Sequence, residues 1–256
     1  MRRIAGAIIT FSRPDYYERA LNSIENNKSA YDLDWYVFQD GFDFHPKDAH
    51  SYKELSKEDI LSNIKITNSS KLPIKHFDVN KFNFGVNYQI NKIFKLFDEG
   101  YDTLFIFEDD LIVSQYYIDL LRNCSDEYRD IVASFHSVGY NGHNRKLLAR
   151  AKAPRLWGFY LTKEVWNSIK KDWYSFYNES TPRLNREPFY DTVITQSVRK
   201  NTKGKFESIV SRAINIGING HLAYRPENWK RRKMHLQSEI IDFEDDKDLK
   251  GFTLNK

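Results

Sequence analysis

The chain has 256 residues with 41% hydrophobic content, enough for the core of one large domain, and its net charge of +4 is too mild to demand nucleic acid. A single cysteine, Cys124, excludes an internal disulfide framework and a thiolate metal cluster. No apolar run approaches the roughly 20 residues of a membrane span, and the opening "MRRIAGAIITF", although it imitates a signal peptide, runs into "SRPDYYERAL" without a small-residue cleavage site.

That opening reads instead as a buried strand over Ile4–Phe11, followed by a turn at Ser12 and Pro14 and a helix over Tyr16–Asn26. "DWYVFQ", Asp34–Gln39, is strand-like and ends in Asp40-Gly41. Leu55–Ile64 reads as a helix, Ile64–Thr67 as a short strand overlapping its end, and Lys75–Val79 as another strand. Val86–Phe97 carries apolar residues at helical spacing, Thr103–Phe107 is the next strand and Ser114–Asn123 the next helix. This alternation predicts βαβ units, hence an α/β fold with a mostly parallel sheet covered by helices on both faces. The second half is less regular, and Asp242–Lys250 reads as a solvated tail or a last helix. The expected organisation is one domain: a nucleotide-binding half over 1–113, an acceptor and catalytic half over 114–235, and a charged tail over 236–256.

In "TLFIFEDDLIV" three acids, Glu108, Asp109 and Asp110, end an apolar strand. Ligands of parallel sheets sit beyond the carboxyl ends of the strands. Two readings are open. Adjacent carboxylates repel unless a cation relieves them, and Mn²⁺ or Mg²⁺ prefers such oxygens. Alternatively, Asp110 caps the helix that follows. Asp40 places a further acid at a second strand end, and no Gly-rich phosphate loop accompanies either segment.

These residues resemble the GT-A glycosyltransferases, most closely the N-acetylglucosaminyltransferase I type. The likeness rests on "FIFEDDL", the pair Gln39-Asp40, "RLWGFYLTKEVW" (Arg155–Trp166) and "VSRAINIGINGHLAY", in that order. It implies a Rossmann-like, GT-A fold that holds a UDP-linked nucleotide-sugar, with the identity of the sugar left open. Asp110 would ligate Mn²⁺ or Mg²⁺, with His221 completing the metal shell. Glu108 and Asp109 would organise the ribose and diphosphate, Asp40 the uracil or ribose, and Thr10 and Arg13 would wrap the nucleotide.

Inverting transfer needs a base for the acceptor hydroxyl. Asp191 in "EPFYDTVITQSV" is the first choice, because it opens an apolar helix over Thr192–Val198 whose N-terminus favours a carboxylate. It would otherwise be only a cap, and Glu187 is second. Gly158 would let backbone approach a ligand, and Trp157, Phe159 and Tyr160 would offer faces for sugar stacking; the alternative for these is an aromatic core strand. Arg212, Arg225 and the run Trp229–Lys233 would reach the diphosphate or an anionic surface, unless that run is simply solvated. The expected partners are a nucleotide-sugar donor and a glycan or lipid-linked acceptor, without nucleic acid, in a cytoplasmic protein with peripheral membrane contact. A nucleotidyltransferase and a non-catalytic carbohydrate-binding module are the alternatives.

Overall fold

The structure is a computed structural model and describes residues 2–43, 56–139, 142–151, 155–180, 189–217, 237 and 239–255. Its first half runs β1 (Ile4–Thr10), α1 (Pro14–Glu25), β2 (Asp34–Gln39), α2 (Lys57–Asn68), β3 (Ile74–Val79), α3 (Val86–Lys95) and β4 (Thr103–Glu108). The second half runs β5 (Leu111–Val113), α4 (Tyr117–Glu127), β6 (Ile131–Ser134), β7 (Leu147–Arg150), β8 (Phe159–Thr162), α5 (Lys163–Phe176), α6 (Tyr190–Asn201), β9 (Gly204–Ser208), β10 (Ala213–Asn215) and β11 (Thr253–Asn255).

A nine-stranded sheet has the order β11-β7-β9-β6-β8-β4-β1-β2-β3. β4, β1, β2 and β3 are mutually parallel, and β8 enters antiparallel between β4 and β6. Side-chain alternation sorts the core into two layers. Ile8, Phe105 and Phe107 face Tyr17 and Leu21 of α1 and Ile118 and Leu121 of α4. Ala5, Ala7, Ile9, Leu104 and Ile106 face Ile90 and Ile93 of α3, Trp166 of α5 and Ile194 of α6. Gly6 is required by packing: an added Cβ would lie 2.5 Å from the Trp35 ring. From β1 the chain moves outward to β2 and β3, then returns to β4 on the other side. The β1 and β4 ends therefore flank the point where strand order reverses, the place where such sheets bind ligands.

Three expectations change. Ile64–Thr67 lies within α2, not in a strand. Ser56 and Asp59 start this helix with a reciprocal capping box, and β-branched residues continue it because Asn63 and Thr67 share its buried face. The helix expected from Ser114 begins at Tyr117, capped by Tyr116, and β5 intervenes after the acids. Asp110 therefore caps no helix. Finally, Asp242–Lys250, mostly exposed, holds a short 3-10 helix over Asp246–Asp248 and is anchored to the fold. Asp246 is buried and paired with Arg145 and Arg212, and the chain then adds β11 to the sheet edge beside β7.

Candidate functional site

Glu108 ends β4, and Asp109 and Asp110 form the turn into β5. β5 pairs antiparallel with β10, which brings Asn215 opposite Leu111. Asn215 Nδ2 donates to Asp110 Oδ1 at 2.8 Å, and Ile216 N donates to the Asp110 carbonyl at 2.8 Å. From the β1 end, Arg13 closes the cluster. Its Nη1 donates to Asp110 Oδ2 at 2.8 Å, and its Nη2 donates to Asp109 Oδ1. Asp109 Oδ2 accepts from Thr10 Oγ1 at 3.3 Å and Phe11 N at 3.1 Å. Thr10 is itself buried and accepts from Asn63 Nδ2 at 2.8 Å, while Asn63 also reaches Gln39 Oε1 at 3.2 Å. The ends of β1, β2 and β4 are thus tied together through α2.

Gly217 lies against the acid pair. A Cβ there would fall 2.0 Å from Asp110 Oδ2 and 3.0 Å from Arg13 Nη1. Only a residue without a side chain leaves room for this ion pair.

Electrostatics divide the acids. Glu108 keeps some solvent contact, yet the protein packed round it, and then the Asp110 charge, push its carboxyl up to about 8. Tyr190 Oη, donating to Glu108 Oε1 at 2.8 Å, opposes that rise. Burial also raises the Asp110 carboxyl, against the pull of Arg13. For Arg13, burial works against the charge, and Asp109 and Asp110 more than offset it, so the guanidinium is held more firmly protonated.

Asp191 lies in the first turn of α6, next to Tyr190, and its charge is felt at Glu108. It is not the N-cap, which is Phe189 without a side-chain bond; its Oδ1 accepts from Thr192 N at 2.7 Å. The structure therefore joins Thr10, Arg13, Asp109 and Asp110 in one hydrogen-bonded cluster, beside Glu108, with Asp191 next to Tyr190, the partner of Glu108.

Other expected residues have different work. Asp40 is buried with Oδ1 accepting from Gly41 N, Phe84 N and Asn80 Nδ2, and Oδ2 from Gly85 N. It anchors the loop into α3, and no oxygen of it lacks a protein donor. Arg212 is fully buried; its Nε donates to Asp246 Oδ2 at 3.0 Å and its guanidinium lies over Phe243 at 5.0 Å, so it secures the chain near Asp246. At Gly158, with φ of 56°, the close approach is made by protein: an added Cβ would meet Leu111 Cδ2 at 2.6 Å. Phe159 and Tyr160 are core residues of β8 and offer no stacking surface. Trp157, nearly buried, packs its ring 4.8 Å from His136. His221, Glu187, Arg225 and Trp229–Lys233 lie outside the described residues.

Sequence reading missed Asn63, Asn215 and Tyr190, which bind the acids or their supports. Only Tyr190 had a signal, its place beside Asp191.

Mn²⁺ or Mg²⁺ takes one or two protein carboxylates, with water and substrate phosphate for the rest. Asp109 and Asp110 offer hard oxygen donors of this kind, and Gly217 leaves them a cradle that a Cβ would fill. Among the described residues no three His, Cys, Asp or Glu side chains form a ready cage. The Asp109 and Asp110 oxygens are of the kind that would suit a cation shared with a phosphate, and in this structure Arg13 occupies them.

The sequence matches no family model and no curated protein. The fold matches solved structures of S. aureus TarS. One has a TM-score of 0.52 at 12% identity, covering 82% of this chain and 36% of that one. TarS 1-349 with UDP-GlcNAc gives 0.54 at 12% identity, covering 82% and 57%, and the complex with UDP gives 0.53 at 10%, covering 82% and 59%. This chain thus spans about a third to three-fifths of the lengths of those structures. What they share with it is the α/β architecture, a large, mostly parallel sheet flanked by helices, as expected for the GT-A class. Among the described residues no helix is long and apolar enough to cross a membrane.

Proposed function

We propose that the chain is a glycosyltransferase that moves a sugar from a UDP-linked donor to a hydroxyl of a glycan or lipid-linked acceptor, with inversion. The observation that carries this reading is the convergence of Asp109, Asp110 and Arg13 at the reversal of strand order, beside Glu108, where the charge of Asp191 in the first turn of α6 is felt. TarS, a glycosyltransferase of the GT-A type, has the same fold, and its complexes with UDP and UDP-GlcNAc suggest the donor class. The transferred unit is a hexosyl or N-acetylhexosaminyl group.

In this reading Asp110 and Asp109 hold a divalent cation, with His221 as a further ligand. When bound, the cation would offset charge on the departing diphosphate. Arg13 supplies a planar fork matched to phosphoryl oxygens. Glu108, held by Tyr190, lines the donor side. Asp191 accepts the proton of the acceptor hydroxyl as that oxygen bonds the anomeric carbon and the bond to UDP breaks.

The test is thermal unfolding with UDP, with Mn²⁺ and with both. Mass action predicts the greatest stabilisation with both, about 2.7 kcal/mol at a hundredfold excess over Kd. A midpoint unmoved by the combination overturns the donor-binding reading. Asp191→Ala should keep donor binding and lose transfer; transfer at the parental rate removes Asp191 from the base role.

A further inference from the structure

Arg13 sits where a cation would be expected. It neutralises only one of the two charges that an ionised Asp109–Asp110 pair carries, and its two Nη groups are both spent on that pair. Its Nε, although buried, has no hydrogen-bond partner. The guanidinium also lies over the Tyr16 ring at 5.7 Å while it holds the acids. Asp110 has one carboxylate oxygen on Asn215 and the other on Arg13, and Asp109 has one on Arg13, so a metal ion bound by the pair would compete with Arg13 for these oxygens.

We propose that Arg13 is the resident counter-cation of the acid pair: a divalent cation displaces it, and the freed guanidinium then grips the donor's diphosphate. This rests on the donor-binding reading above and deepens it. The driving force is charge. A divalent ion compensates both carboxylates, and an incoming diphosphate gives Arg13 a new anionic partner with bidentate geometry. Metal and nucleotide then bind with positive coupling, because each removes a cost of the other.

The experiment measures Mn²⁺ affinity by the loss of the free-ion electron paramagnetic resonance signal, in the parent, Arg13→Gln and Arg13→Lys, without nucleotide. UDP affinity at saturating Mn²⁺ is measured on the same proteins by calorimetry. Removing the resident charge should tighten Mn²⁺ binding of Arg13→Gln at least tenfold while weakening UDP binding at least tenfold. Arg13→Lys, which keeps the charge, should bind Mn²⁺ nearly as the parent does. Asp110→Asn added to Arg13→Gln should abolish the gain, which locates it at the acid pair. Equal or weaker Mn²⁺ binding by Arg13→Gln, with UDP still bound by the parent, overturns the exchange alone. No Mn²⁺ binding by any protein, with or without UDP, overturns the metal reading and the exchange together.

Discussion

At Glu108, burial and the Asp110 charge hold the carboxyl near 8, well above its ordinary value of 4.5. The folded metal-free protein therefore keeps a proton there that the unfolded chain has lost. Across that window the folded state binds more protons, so stability falls as pH rises from about 4.5 towards 8. Glu108→Gln keeps an acceptor for Tyr190 and removes the titration. Its melting temperature should gain on the parent's between pH 5 and 8 and run parallel above. A constant difference across that range would show that Glu108 does not titrate as described. A second residue-scale prediction concerns Gly217. The Cβ of Gly217→Ala would collide with Asp110 Oδ2 at 2.0 Å, so UDP binding should fall at least tenfold, read by calorimetry, with the far-ultraviolet circular dichroism spectrum unchanged.

Among the elements, β8 depends on the turn before it. Gly158 combines a φ of 56° with a space already filled by Leu111 and Tyr117, whose hydroxyl donates to the Gly158 carbonyl at 2.6 Å. Gly158→Ala should cost about 2–4 kcal/mol, the sum of left-handed strain and overpacking, measurable by urea unfolding. The elements also mark how far sequence reasoning reaches. β1, β2 and β4 were legible because uninterrupted β-branched and aromatic runs have few alternatives. The acids were legible as a site because a charged end to such a run makes sense at the carboxyl edge of a parallel sheet. β5 was hidden: Leu-Ile-Val beside a helix looks like the helix's apolar entry, and only pairing with β10 makes it a strand. The protein partners of Asp40 and Arg212 could not be read from the sequence for one reason. A charged side chain beside a strand end can serve a ligand or a buried partner, and the partners here, Gly85 and Asp246, are 45 and 34 positions away.

In the molecule as a whole, one cluster of buried charge lies where β6 and β9 run side by side. Lys205 Nζ donates to Glu207 Oε1 at 2.7 Å, and His136 Nε2 lies 3.3 Å from the same oxygen, all three residues being buried. Burial works against the Glu207 charge, but His136 and Lys205 more than offset it and hold the carboxyl well below its ordinary range. Glu207→Gln removes the buried carboxylate that Lys205 Nζ and His136 Nε2 face, and should destabilise the fold by about 3–5 kcal/mol in urea titrations. The candidate site lies along the same edge and is also assembled from afar. Arg13 meets Asp110 across 97 positions, and Asn215 meets it across 105. No contiguous fragment shorter than that separation contains both partners of either contact. Nucleotide capture should therefore vanish in one step with the global unfolding transition, making bound UDP a sensor of whether the entire chain has come together.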